Sequence, residues 1–565
     1  MELNRSISPQ RLGAERFRQR YGLTCAYVAG SMAHGVASER FVEAMTGAGL
    51  LASFGSAGLS HARVRAAVAR LKGSVPDRRL CVNLIHSPQA ETVERNLVEL
   101  LLREGVTAVE ASAFIQPTLA LVLYRARGAR VGSAGPQAAQ RIIAKVSRRE
   151  VARHFMLPPP ADMLRRLCEE GALSASEADA ASRLALADDI TVEADSGGHT
   201  DNQPLLCAFP AIRALRDEIA QSFAAAAEIC IGAGGGLGTP AALASAFALG
   251  ADYAVTGSIN QACIEAGTSD GVKALLAQAE PGDFAMAPAA DMFEMGVRVQ
   301  VLRRGTMFPV RAQWLYELYR QRDGLDALSA DERERLERQL FRRSIDDVWQ
   351  ETRAYWQEVE PQQLALAEQD PRLRMAMVFR WYLGTSSRWA ISGDPQGALD
   401  YQIWCGPAMA SFNIWSRGVG LGRPEDRSAP AVALALMEGA ARHLDALWRA
   451  PTVAPPQSEQ PAAPPVVAEP DAGFIRDWLI AQIAQQIGIA SEEIDPSQPF
   501  ESYGIDSGAA VMILGRLERL LHRRLSPTLI WNYPNIDALA ARLSAPVRAV
   551  AGQPHGDRQA ALPPG

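Results

Sequence analysis

The chain has 565 residues, 48% of them hydrophobic and 21% charged, with a formal net charge of −6. That is too long for one ordinary domain, has the balance of a chain that folds in water, and lacks the positive charge a general nucleic-acid footprint needs. No apolar run approaches the ~18 residues of a membrane span, and residues 1–22 lack the apolar stretch of a signal peptide. Seven cysteines, at 25, 81, 168, 207, 230, 263 and 405, form no CxxC pair and read as reduced thiols in a cytoplasmic protein.

Taken in chain order, short apolar runs recur at 25–30, 50–55, 80–85, 108–113, 142–147, 190–195, 228–234 and 253–258. Stretches of helical periodicity separate them. Eight such strands alternating with helices in about 235 residues favour a closed parallel (β/α)8 barrel over an open doubly wound sheet. The α/β barrel is expected over 1–311, with a helical insertion at 148–189 whose "SASEAD" reads as an N-terminal cap. Residues 312–450 read as a helical extension, in which 392–415, rich in small and apolar residues, suits a wall near the site. The Pro/Ala-rich segment 451–472 reads as a linker that, at ~3.1 Å per residue, would reach ~60 Å. Residues 473–545 read as a small all-α unit, and 546–565 as a disordered tail.

The chemistry-bearing residues gather at predicted strand ends, where barrels of this kind bind ligands. Strand 7 ends in "GAGGGLGTPAA" (232–242) and strand 8 in "VTGSIN" (255–260). Gly234, Gly235, Gly236, Thr256, Gly257 and Ser258 let backbone amides converge on a phosphate near a helix start, the usual phosphate site of the fold. A Rossmann reading fails, because the glycine run comes seventh and no acid follows a second strand at the right distance. Strand 6 ends in "VEADSGGHTD", where Gly197 and Gly198 imply a sharp turn or close backbone approach. Lys145 sits mid-strand among apolar neighbours, where an unpaired ammonium is costly, so Glu110, Glu193 or Asp195 is the expected partner.

"RIIAKVSR", "VEADSGGHTD", "GAGGGLGTPAA", "GADYAVTGSINQ", "EAGTSD" and "DMFEMGVRVQVL" together resemble the PfaD family, the trans-acting enoyl reductases of polyunsaturated-fatty-acid and polyketide synthases. That family is similar in turn to FMN-dependent enoyl reductases and nitronate monooxygenases. The resemblance, from about Gly22 to Trp448, implies FMN as cofactor and NADPH as hydride donor. It implies that Gly197 and Gly198 approach the flavin and that His199 lies over it, with His34 a rival on the same rim. By position, Ala29 and Gly30 would leave room for the ring, Asn83 would bond it, and Lys145 would stabilise its reduced anionic form. "GIDS" and "SPTLIWNYPNI" resemble an acyl carrier protein, with Ser507 as the 4′-phosphopantetheine attachment site, although Gly508 replaces the usual Leu.

The implied activity is reduction of an α,β-unsaturated acyl thioester, with His199 or water supplying the α-proton. The implied partners are acyl carrier domains of a synthase and a phosphopantetheinyl transferase, and a homodimer is an assembly the sequence permits. Two other readings stay open: a nitronate monooxygenase-like oxidase, which needs O2 and no carrier, and a non-catalytic scaffold that presents the carrier.

Overall fold

A computed structural model describes residues 7–86, 91–133, 135–449, 471–487, 490–503, 507–521, 525–526 and 529–544. The chain divides into two units, Met1–Pro451 and Thr452–Gly565. Eight parallel strands close a barrel in the larger unit: β1 (Tyr27–Ala29), β2 (Leu51–Phe54), β3 (Cys81–Ile85), β4 (Ala108–Ser112), β5 (Arg141–Val146), β6 (Asp189–Glu193), β7 (Cys230–Gly234) and β8 (Ala254–Thr256). Each strand pairs with its sequence neighbours, and β1 closes the ring on β8 with Tyr27 opposite Ala254. All eight coincide with the predicted runs. Side chains alternate along them, so that one set fills the barrel and the other faces the helices.

The interior set includes Val28, Leu51, Cys81, Ala108, Ile143, Cys230 and Val255, packed with Phe17 and Tyr21 of helix Glu15–Tyr21. Phe17 stacks on Tyr253 with centroids 4.0 Å apart. The fully buried Asp189 at the start of β6 pairs with Arg20 and accepts from the Tyr21 hydroxyl at 2.7 Å. This helix therefore plugs the N-terminal end of the barrel and leaves the opposite mouth open to ligands.

Residues 149–181 form three helices, Arg149–Met156, Ala161–Glu169 and Ala175–Ala181. Ser174 and Glu177 make the capping box of the last, as "SASEAD" implied.

A second apolar core begins at Ala287, inside the range expected for the barrel. Its sheet is the hairpin Phe284–Pro288 and Arg298–Leu302, joined by the two-residue strand Gly198–His199 from the loop after β6. Helices Phe308–Gln321, Ile345–Val359 and Pro371–Ser392 pack on it. Asp370 caps the last, accepting from the amides of Arg372 and Leu373, with Pro371 in the first turn. The buried Asp400 accepts from Tyr382 at 2.7 Å and pairs with Arg311 and Arg342. The chain then returns to the barrel, where helix Ala429–Arg449 packs on Pro240–Ala248.

The smaller unit has its own core of Ile475, Leu479, Ile483, Leu517, Ile536 and Leu539 on helices Ala472–Ile487, Ser507–Leu521 and Ile536–Ser544. The linker from 451 to 470 and the tail from 545 lie outside the described residues. Among the described residues, no helix is long and apolar enough to cross a membrane.

Candidate active site

A cavity of about 1230 Å³ opens at the C-terminal ends of the strands, between the barrel mouth and the helical extension. Gly30, Asn83, Lys145, Gly197, Gly198, His199, Gly234, Gly235, Gly236, Thr256, Gly257 and Ser258 all line it. Ala29 does not: strand alternation turns its methyl outward into the layer between barrel and helices, where it is fully buried. Only the neighbouring Gly30 borders the space expected for a ring.

The glycines do two different jobs. Gly197 and Gly235 allow close packing: a Cβ on Gly197 would lie 2.8 Å from the Cys405 Cα, and one on Gly235 2.8 Å from the Ala194 carbonyl carbon. Gly406 donates its amide to Ser258 Oγ at 3.0 Å, which joins the β8 loop to the wall at 402–408. By contrast, a Cβ on Gly198, Gly236 or Gly257 would meet nothing within 4 Å. These three edge open cavity. Among the described residues, no protein acceptor faces the amides of Gly236, Leu237, Gly257 or Ser258. The hydroxyl of Ser196 is buried without a partner on the same rim. Thr239 caps helix Pro240–Ala248, which starts straight after the glycines. Free amides, a helix start and glycines without side chains fit the phosphate of FMN.

Two pairs of charged groups stand at the barrel side of the cavity. Lys145 Nζ lies 2.7 Å from Glu193 Oε1, the partner one strand away on the same face. Burial pushes the Lys145 pKa down, but the Glu193 and Glu110 carboxylates outweigh it, and the net shift is upward. The ammonium is therefore a fixed cation in the cavity wall. Asp195 instead accepts from Asn202 at 2.9 Å.

His199 Nε2 lies 2.9 Å from Asp291 Oδ1. Burial lowers the imidazole pKa, the Asp291 charge and hydrogen bond raise it, and the net shift is upward. The same pairing holds Asp291 below the usual carboxylate value against the effect of burial. Sheet pairing fixes this geometry, since His199 sits opposite Val299 and Gly198 opposite Gln300.

Asn83 donates to the Glu110 carbonyl at 3.0 Å and to Ser112 Oγ at 3.1 Å. Both amide hydrogens are thus occupied, and its Oδ1 remains as an acceptor for a ring N–H. His34 also lines the cavity, with positive φ, stacked on Trp404 at 5.5 Å. Burial and the nearby Arg388 charge lower its pKa, which makes it a neutral wall residue.

Three features escaped the sequence reading. Asp291 stands inside the quoted "DMFEMGVRVQVL", yet its partner is 92 positions away. The roof of the cavity comes from helix Pro371–Ser392, through Met377, Arg380, Trp381, Gly384, Ser387 and Arg388. Their spacing of three or four was legible as one helix face, but nothing local says what that face covers. His86, straight after β3, also lines the cavity, with Nδ1 2.9 Å from the buried Glu94.

Ser507 begins helix Ser507–Leu521 in the smaller unit, whereas Gly504–Asp506 before it lie outside the described residues.

Comparison with known proteins bears on both units. Residues 477–543 match the phosphopantetheine attachment site family, and residues 322–401 match the inserted helical domain of [acyl-carrier-protein] S-malonyltransferase. The chain is 42% identical over 452 residues to one of the subunits of the polyunsaturated fatty acid synthase of Thraustochytrium, covering 78% of this chain and 30% of that protein. It is also 42% identical to the polyketide biosynthesis protein PksE of Bacillus subtilis, covering 76% of this chain and 56% of that one. The chain thus spans between about a third and just over half of these relatives. The enoyl reductase domain of MlnA, from the macrolactin cluster of Bacillus amyloliquefaciens, is 35% identical. It superposes with a TM-score of 0.73 over 78% of this chain and 99% of that domain. The chain belongs to the family of enoyl reductase domains of polyketide and polyunsaturated fatty acid synthases, carried here together with a C-terminal phosphopantetheine attachment domain.

Proposed function

We propose that the larger unit is an FMN-dependent, NADPH-using enoyl-[acyl-carrier-protein] reductase of a polyketide or polyunsaturated fatty acid synthase. On this reading its substrates are α,β-unsaturated acyl thioesters on carrier domains. A phosphopantetheinyl transferase loads Ser507 with 4′-phosphopantetheine. The observation that carries the reading is the whole-domain likeness to an enoyl reductase, with every residue expected at the flavin site except Ala29 lining one barrel-mouth cavity.

FMN bound there supplies hydride transfer from NADPH to the β-carbon of the enoyl thioester. Gly236, Leu237, Gly257 and Ser258 would hold its phosphate with their amides. Asn83 Oδ1 would accept from a ring N–H, and Lys145 would place positive charge beside the ring. His199, whose protonated form Asp291 favours, would deliver a proton to the α-carbon through Nδ1, which has no partner among the described residues. The roof helix would exclude water. Purified protein should release FMN on denaturation and oxidise NADPH only when an enoyl thioester is present. Recovery of FAD, or NADPH oxidation coupled only to O2, contradicts this function.

A further inference from the structure

Among the described residues, three Lys or Arg side chains line the cavity. Lys145 is paired with Glu193, and Arg380 with Glu294 at 3.2 Å. Arg388 alone has no carboxylate partner among the described residues. It is exposed on the cavity face of helix Pro371–Ser392, and its Nη2 donates to Thr385 Oγ1 at 2.6 Å. That bond orients the guanidinium without neutralising it. One turn earlier on the same face stands Gly384, inside the helix, where glycine costs about 1 kcal/mol relative to alanine. A Cβ there would lie 3.8 Å from Arg388 Nη1, so the glycine keeps the space around the fork open. The cavity also exceeds the ~300–1,000 Å³ that holds one drug-sized ligand. The glycine loops after β7 and β8 account for one phosphate, on the barrel side. An oriented, unneutralised guanidinium on the roof matches a second, because its planar fork takes phosphate oxygens bidentately.

We propose that Arg388 is the recognition residue for the phosphate group of the second ligand that enters this cavity, under the roof helix. The assignment rests on the proposed function and deepens it. Two ligands of that reaction carry such a phosphate: the acyl-bearing phosphopantetheine arm and the dinucleotide hydride donor.

Calorimetric binding to the flavin-loaded full chain tests this without turnover. The probes are phosphopantetheine against pantetheine, and NADP+ against oxidised nicotinamide riboside, which lacks every phosphate; neither oxidised nicotinamide can pass hydride to the flavin. In Arg388→Gln, one of these two affinity ratios should fall about tenfold, the scale of a charge-assisted bond, and Arg388→Lys should restore part of it. A fall in the first ratio assigns the pantetheine arm, and a fall in the second assigns the dinucleotide. If neither ratio moves, or if the phosphate-free probes weaken equally, the proposal is overturned. Flavin content and thermal stability at the wild-type level show that the variant is folded. A chain whose ratios respond to Arg388 but which reduces no enoyl thioester contradicts the reductase function alone.

Discussion

His199 is poised chiefly by the Asp291 carboxylate, with Glu193 adding to the upward shift. Because Asp291 raises its pKa above the ordinary 6.5 despite burial, the imidazolium persists to higher pH than a free histidine would. The same shift stabilises the fold: this contribution is fully present below the unfolded value and is lost as pH rises through the folded one. The rate of acyl reduction, read by stopped-flow after pre-reduction of the enzyme, should therefore fall as pH rises through the raised pKa. Asp291→Asn should move that fall to lower pH, whereas His199→Ala should cost ~10²–10⁴ in rate with the flavin still bound. An unchanged rate in His199→Ala would leave solvent as the proton source. Lys145 and Glu193 are a mutual dependence of another kind, each less than a quarter exposed. Lys145→Ala strands the Glu193 carboxylate and should lower stability by about 1–3 kcal/mol while weakening flavin retention. Lys145→Met combined with Glu193→Gln should recover most of the stability but not the retention, which thermal melts and flavin fluorescence separate. The need for a partner was legible in sequence, but Glu110, Glu193 and Asp195 were all open to Lys145, and Glu193 is the one it pairs with. The His199–Asp291 pair was not legible, because it depends on a sheet that joins the β6 loop to a hairpin about 90 residues on.

The eight barrel strands were readable because each is a continuous apolar run, buried on both faces and bounded by helical periodicity. Short strands outside the barrel, lacking a buried apolar run, gave no such signal. Arg130–Gly132 and Gly135–Gln137 are three residues each and largely exposed, and Gly198–His199 has two. Hairpin Phe284–Pro288 with Arg298–Leu302 was hidden by its place after the eighth strand, in a stretch counted with the barrel. At the β7 loop, the glycines themselves separate packing from binding. Gly236 has φ +72° and open space at its Cβ position, whereas Gly235 has φ +92° and would collide with Ala194. Gly236→Ala should cost only the ~1–2 kcal/mol of a left-handed non-glycine residue, yet fill the phosphate cradle and weaken FMN binding. Gly235→Ala should destabilise more, because the backbone after β6 must move. Flavin titration and thermal melts of the two variants check this. FMN affinity left intact in Gly236→Ala would remove the β7 loop from the phosphate site.

Among the described residues, four apolar clusters are strung on one chain, two of them inside and around the barrel, and the sequence marked their edges unequally. The Pro/Ala-rich composition of 451–472 separated the carrier, because such a stretch has too little apolar surface to form a core. The edge between barrel and extension carries no such mark: the second core starts at Ala287, and helix Ala429–Arg449 returns to the barrel. Those two crossings, rather than a hinge, suspend the roof over the mouth, so the reductase unit is expected to act as one body. The core from Ile475 to Leu543 is built, among the described residues, from side chains of the smaller unit. The two activities should then be separable by single substitutions. Ser507→Ala should abolish the mass increase of phosphopantetheine loading, read on the intact protein, with FMN content and reduction of a freely supplied enoyl thioester unchanged. Absence of that mass increase in the wild-type chain incubated with a phosphopantetheinyl transferase would defeat the carrier assignment. Loading the same enoyl chain on Ser507 and on a separate carrier then distinguishes service in cis from service in trans. Reduction in cis is first order and independent of protein concentration, whereas reduction in trans rises with it. A rate on Ser507 that scales with concentration would mean that the reductase serves the carriers of other molecules, Ser507 of other copies of this chain included.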